Sequence, residues 1–164
     1  MFISSFSVGQ TVSNDELRSA FRCGSMGGMR RSKATNTLVI ISDHTKGLYE
    51  DKWFDDVLHY TGMGLTGDQS LAFMQNKTLA ESRTNGVGVH LFEVLIKGEY
   101  IYHGPVSLAG EPYQETQDGK DGVPRQVWMF PLQIDTAEHI IPESVLERSI
   151  VTKEREAKKR IQRS

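Results

Sequence analysis

Gly47-Leu48-Tyr49-Glu50-Asp51-Lys52-Trp53, followed by Tyr60-Thr61-Gly62-Met63-Gly64, is the stretch on which the reading of this chain turns. Two tyrosines stand eleven positions apart, an acid lies between them, and a Thr-Gly turn follows. Loops of this make-up stack a flat heterocycle between two aromatic faces while a carboxylate and a hydroxyl read its edge. Proteins hold a nucleobase taken out of a duplex in this way. The plainer reading, favoured for any isolated tyrosine pair, is two β-hairpin loops packing on a core. The neighbouring motifs decide between them.

Downstream of Tyr60 the chain carries Gly67-Asp68-Gln69, then Gln75-Asn76-Lys77-Thr78-Leu79-Ala80-Glu81-Ser82. After a glycine-rich break come Val89-His90-Leu91-Phe92-Glu93-Val94 and Tyr100-Ile101-Tyr102-His103-Gly104, and last Val127-Trp128-Met129-Phe130-Pro131-Leu132. This ordered set, over roughly residues 20 to 134, resembles the SRA (SET- and RING-associated, or YDG) domain, a reader of modified cytosine in DNA. It is most similar to the SRA-like module of bacterial modification-dependent restriction endonucleases, where the reader precedes an HNH nuclease. Two departures stand out. The family's Tyr-Asp-Gly strand reads Tyr102-His103-Gly104 here. The long insertion that follows Tyr-Thr-Gly-x-Gly in eukaryotic relatives, whose basic finger senses the opposite strand, is reduced to Leu65-Thr66.

The resemblance implies a pocket for a flipped 5-methylcytosine, with 5-hydroxymethylcytosine a second candidate. Tyr49 and Tyr60 would form its faces, and Asp51 would accept from the cytosine amino group, selecting against thymine, which presents a carbonyl there. Thr61 and the backbone at Gly62 would complete the ring edge, and Met63 or Gly64 would touch the 5-methyl group. Glu50, Asp55 and Asp56 remain alternatives to Asp51. Arg30, Arg31, Ser32 and Lys33 would bind phosphates from a glycine-rich segment that lies against DNA in the family. Trp53 reads as a core anchor rather than a third stacking wall.

Composition sets the frame. At 164 residues and 38% hydrophobic, the chain is one domain with a modest core and an appendage. It has no apolar run of membrane-spanning length and no secretory leader pattern. Its one cysteine, Cys23, reads as a small buried hydrophobe, and no Cys/His spacing suits zinc. These features suit the cytoplasm, and the resemblance implies a bacterial one. The net charge of −2 argues against a wholly basic DNA-binding surface, but charge is uneven. From Leu17 to Lys46 there are six basic residues against Asp43 alone, and from Thr152 onward six against Glu154 and Glu156.

Along the chain, Phe2 to Val8 alternates as a first strand. Ser13 and Glu16 form a capping box for a short helix that buries Leu17 and Phe21 and stops at Gly24. Residues 24–32 are too glycine-rich for a regular element. Thr37 to Ser42 is a buried strand. Asp68 caps a helix reaching Ser82, with Leu71, Met74, Thr78 and Leu79 as its buried stripe. Val89 to Ile96 and Tyr100 to Val106 are strands joined by a tight turn. Gln114 to Val123 is a polar loop, and Gln126 to Ile134 closes the sheet. The expected fold is α+β, an SRA/PUA-like curved sheet or partly open barrel flanked by helices. Residues 1–140 would form the modified-DNA-binding domain. Residues 141–164 would form a C-terminal basic helix, a linker into a further domain, and the full-length protein would pair as a homodimer; the competing reading is a short stand-alone reader with a frayed tail.

No nucleophile–base pair, metal-ligand set or cofactor motif is spaced for catalysis, so the chain reads as a binding module rather than an enzyme. His44, His59, His90, His103 and His139 are scattered and carry no assigned chemistry. The expected partner is double-stranded DNA with modified cytosine, with no membrane and no small-molecule substrate. The competing reading is a PUA-like or ASCH-type RNA-binding module, whose barrel would look similar.

Overall fold

The computed structural model describes residues 1–47, 49–135, 141–151 and 153. Its centre is Thr37–Asp43 (β3), whose Leu-Val-Ile-Ile run is apolar on both faces. Leu38 and Ile40 pack with Leu58, Leu91, Phe130 and Leu132, while Val39 and Ile41 pack with Leu17, Phe21, Phe92 and Tyr102. A strand buried on both sides must lie inside a sheet. β3 pairs antiparallel with Met29–Ser32 (β2) and parallel with Gly88–Ile96 (β6).

From β6 the sheet continues through Glu99–Leu108 (β7), Pro124–Ile134 (β9), Val57–Thr61 (β5) and Lys52–Phe54 (β4), all antiparallel. Thr11–Val12 (β1) adds to β7 and Tyr113–Asp118 (β8) to β9, giving a mixed, open sheet of nine strands. Register shifts near Leu91/Phe92 and before Ile96 bend the β6–β7 pair, as bulges do. The result is the expected α+β curved sheet.

One helix covers the second face of β3. Asn14–Phe21 (α1) starts at the expected capping box, in which the Ser13 hydroxyl accepts from the Glu16 N–H and the Glu16 carboxylate accepts from the Ser13 N–H. Leu17 and Phe21 fall on one face and are fully buried, worth about 2 kcal/mol each. The helix ends in a left-handed turn at Arg22 rather than at Gly24.

Four expectations need correction. Phe2 to Val8 forms no strand; Phe2 and Phe6 instead pack their rings against Phe21 at 5.1 and 6.2 Å, so aromatic packing on α1 replaces sheet pairing. The end of the glycine-rich segment is regular after all, because Met29–Ser32 pairs with β3. The helix expected from Asp68 to Ser82 shrinks to Gln75–Ala80 (α2). Asp68 accepts from the Gln126 N–H instead of capping it, and Met74 adopts φ +46°, ψ −124°, which breaks the helical run. Of the expected stripe, Leu79 is fully buried but Met74 is 60% exposed. Finally, residues 114–118 belong to β8: they form a hairpin with β9 around the Gly119–Val123 turn. Its polar sequence reflects a strand exposed over most of its length, with Gln117 alone buried.

Residues 143–151 are helical. Val145 and Ser149 are buried, and the Arg148 guanidinium donates two 2.8 Å bonds to Glu99 at the start of β7. Leu146 and Val151 are exposed. Most of the basic tail, from 154 onward, lies outside the described residues. No helix among the described residues is long and apolar enough to cross a membrane.

Candidate functional site

The C-terminal ends of β3 and β5 lie together, and irregular segments close over them: residues 24–28, 44–47 with 49–51, and 62–74. Between these is a cavity of about 500 Å³ whose wall includes Tyr49, Asp51, Tyr60, Gly62, Met63 and Gly64. The sequence-predicted pocket is therefore brought together, with one exception. Thr61 is buried to 1% exposure, and its hydroxyl accepts from Gln117 Nε2 and faces Met129, away from the cavity. Its backbone N–H and, more weakly, its hydroxyl act on Asp51.

That backbone holds the carboxylate. Asp51 Oδ1 accepts the Thr61 N–H at 2.8 Å, and Oδ2 accepts the Ser42 hydroxyl at 2.8 Å. Burial raises the Asp51 pKa from its ordinary value, and these two bonds pull it part of the way back. Among the described residues only Asp51 and Asp43 bring carboxyl groups to the cavity wall. Glu50, Asp55 and Asp56 are absent from it.

The two tyrosines differ. Tyr60 is a strand residue, 3% exposed, and its hydroxyl donates to Gly28 O at 2.9 Å and also approaches Ile41 O at 3.2 Å. Burial, and then the Asp51 charge, push the phenol well above its usual range, so it stays a neutral donor. A Cβ on Gly28 would lie 2.9 Å from that oxygen, so the glycine is needed for the contact. Tyr60 is thus a fixed wall. Tyr49, on the loop, is half-buried. Burial raises its phenol, while the Arg125 charge and the Gly64 backbone lower it.

Residues that never line the cavity hold its far wall. Gln69 donates from Nε2 to Gly62 O (2.7 Å) and Gly64 O (3.1 Å), and its Oε1 accepts from Trp128 N. Fully buried Asn76 accepts the Met63 N–H at 2.7 Å and donates to Met63 O and Ser70 O. Arg125 Nη1 donates to Gly64 O and Gly67 O. Several backbone groups of a loop that does not pair in a sheet thereby find side-chain partners, while Gly62 N donates to Trp128 O. Gly62 is required because a Cβ there would meet Asn76 Oδ1 at 2.8 Å.

The proposed phosphate run is only partly at the surface. Arg30 is 6% exposed, donates to Gly27 O and Asn14 Oδ1, and lies 5.7 Å over the Tyr100 ring. Ser32 is 2% exposed and donates to Arg22 O. Arg31 spends its guanidinium on Ser32 O, Thr37 O and Asn36. Placement in β2 internalises these groups, and Lys33 alone of the four stands exposed.

Sequence reasoning missed several neighbours. Asp43, Lys46 and Tyr100 line the cavity, and Phe73 and Met74 stand exposed at its edge. It also missed a buried polar cluster behind Asp51. Glu93, 2% exposed, accepts the Trp53 indole N–H at 2.8 Å, with His44 Nε2 at 2.8 Å and His103 Nε2 at 2.9 Å. No group of three or more His, Cys, Asp or Glu among the described residues has the arrangement of a metal site.

Comparison with known proteins adds the following. No curated protein matches the sequence. The structure resembles the sulfur-binding domain and SRA domain of ScoMcrA complexed with phosphorothioated DNA, with TM-score 0.65 and 25% identity, over 88% of this chain and 45% of that one. This chain therefore spans less than half of that solved chain. It also resembles the SUVH5 SRA domain in complex with fully methylated CG DNA (TM-score 0.61, 26% identity, 87% of this chain and 100% of that one). The same SUVH5 domain bound to fully hydroxymethylated CG DNA gives TM-score 0.60 and 25% identity over 87% and 99%. The profile of the ScoMcrA-like SRA domain matches residues 8–150. With the fold, the ordered motifs and this match in agreement, the chain belongs to the ScoMcrA-like SRA domain family.

Proposed function

We propose that this chain is a reader of modified cytosine in double-stranded DNA, holding the base outside the helix in the cavity between Tyr49 and Tyr60. The observation that carries the reading is Asp51: a carboxylate held by Thr61 and Ser42 at the wall of a cavity that also has two tyrosines. An acceptor at that point suits the cytosine amino group and repels the thymine carbonyl. The SRA domains that the structure resembles are found with methylated and hydroxymethylated CG DNA, which supports the same reading.

Stacking a base on aromatics contributes about 1–3 kcal/mol, comparable with the few kcal/mol that unstacking costs. The remaining affinity comes from backbone contacts, for which exposed Lys33 is the available cation of the β2 run. The preformed far wall keeps the pocket from having to order itself on binding. In the full-length protein this module serves as the recognition part of a modification-dependent restriction endonuclease, with cleavage in a separate HNH domain.

Competition binding tests the reading. Duplexes of one sequence, carrying cytosine, 5-methylcytosine or 5-hydroxymethylcytosine at one position, are compared across a salt series, with a structured RNA as competitor. Preference for the modified duplexes at every salt concentration is expected. Equal affinity for all three, or tighter binding of the RNA, would refute it.

A further inference from the structure

Behind the base-reading carboxylate runs a ladder of polar side chains drawn from five segments. Ser42 donates to Asp51 Oδ2 at 2.8 Å. His44 Nε2 lies 3.4 Å from Ser42 Oγ and 2.8 Å from Glu93 Oε2. Glu93 takes further bonds from Trp53 and His103. Ser42, Glu93 and His103 are almost completely buried, whereas the His44 side chain is 24% exposed. A buried carboxylate surrounded by ring N–H groups is stable only if a cation compensates it. His44 is the member of the ladder placed to exchange protons with solvent.

We propose that His44 is a positioning residue for Asp51: its imidazolium, anchored on Glu93 and touching Ser42, supplies the positive charge against which Asp51 is buried when a modified base seats. The inference rests on the reading of the cavity given above. Seating a base removes the remaining water from Asp51 and strengthens every charge interaction around it. An ionised Asp51 then needs the imidazolium more than it does in the empty pocket.

The charges around His44 agree with this role. Burial lowers its proton affinity, but the Glu93 bond and the charges of Glu93 and Asp51 outweigh that and raise its pKa, with Lys153 opposing. Asp43 neighbours it in sequence, its carboxylate bonded to Thr45, and His103 shares Glu93 from β7. A second raise on base binding has a definite sign. A group whose pKa is higher in the bound state strengthens binding fully below its free-state pKa and loses that effect as pH rises through the bound-state value. Selectivity for modified over unmodified duplex should therefore fall with rising pH through the His44 range, by up to about tenfold for one pKa unit of coupling.

Histidine-selective NMR on the full chain reads this directly. The His44 titration midpoint is followed with unmodified duplex and with the same duplex carrying 5-methylcytosine. The expected result is a higher His44 midpoint with the modified duplex. Selectivity of His44→Gln, which keeps a neutral donor, should be flat over the same pH range, and Ser42→Ala should abolish the His44 response to the modified base. An identical His44 midpoint on the two duplexes, or wild-type selectivity independent of pH, overturns the proposal while leaving the pocket reading intact. Absence of selectivity at every pH overturns both.

Discussion

Asp51→Asn should exchange the base that the pocket prefers while leaving the fold in place. In the wild type, Asp51 Oδ1 accepts from the Thr61 N–H and Oδ2 from the Ser42 hydroxyl. An amide satisfies the same frame in only one orientation. Its oxygen must stay on the Thr61 N–H, since two N–H groups cannot face each other. Its nitrogen must then turn to Ser42, whose hydroxyl rotates to accept. One N–H remains for the cavity, where cytosine also presents donors. The variant loses a charge-assisted bond, a contribution of about 1.5–3 kcal/mol, and leaves a donor unpaired at roughly 1–3 kcal/mol. A combined loss of about 3 kcal/mol weakens binding of the methylated duplex by roughly 150-fold. Thymine carries the same 5-methyl group and an acceptor in place of the amino group, so duplexes with an easily extruded thymine, such as a T·G mismatch, should gain. Stability should move the other way. Burial raises the Asp51 pKa, so the stability that its protonated form contributes is present below the ordinary carboxylate pKa and lost as pH rises through the folded value. Asn escapes that loss, and the variant's relative stability should grow over the same window. Anisotropy titrations against 5-methylcytosine, cytosine and T·G duplexes, with urea unfolding at several pH values, test both halves. A variant that still ranks 5-methylcytosine above the mismatched thymine by the wild-type margin would refute the assignment of Asp51.

Asn76→Asp keeps the acceptor for the Met63 N–H but sets a carboxylate against Met63 O and Ser70 O; it should cost about 2–4 kcal/mol at neutral pH and recover in acid, measured by urea unfolding. Lys33→Ala should weaken methylated and unmodified duplexes alike and reduce the salt slope by roughly one unit, with a loss confined to methylated DNA as the contrary result. His90, 3% exposed and bonded to Tyr102, has its pKa lowered by burial from 6.5 to about 4. Its contribution to stability should hold above pH 6.5 and disappear as pH falls through 4, and His90→Gln should remove that part of the acid transition in unfolding titrations. Gly64-Leu65-Thr66-Gly67 is too short to cross a major groove about 12 Å wide, so a fully methylated CpG duplex should bind at least as well as the hemimethylated one; a several-fold hemimethylated preference in parallel titrations would contradict this.

The features legible in the sequence share a physical origin, and so do those that were not. The capping box of α1 and the both-faced burial of β3 are local: neighbouring residues carry the whole signal. Tyr49, Asp51 and Tyr60 could be placed in one pocket because the motif order fixed a family in which those positions converge. What escaped depends on pairing across the fold. β8 is polar because little of it is buried, so only its register with β9 marks it as a strand. Arg30 and Ser32 looked like surface groups until the pairing of β2 with β3 turned them inward. The Glu93 cluster draws on residues 44, 53, 93 and 103, brought together by the parallel β3–β6 contact and the adjoining β7, and no sequence spacing encodes that. Gln69 and Asn76 make the same point from the opposite side. They were visible as motif members without an evident task, and the structure gives them one: binding the backbone of residues 62–64 so that the wall opposite Tyr60 is fixed before any base arrives. A pocket that must recover the cost of unstacking cannot also bear the cost of ordering its own loop. For that reason, on the proposed function, residues that touch no base can be as necessary to recognition as the two tyrosines of the cavity wall.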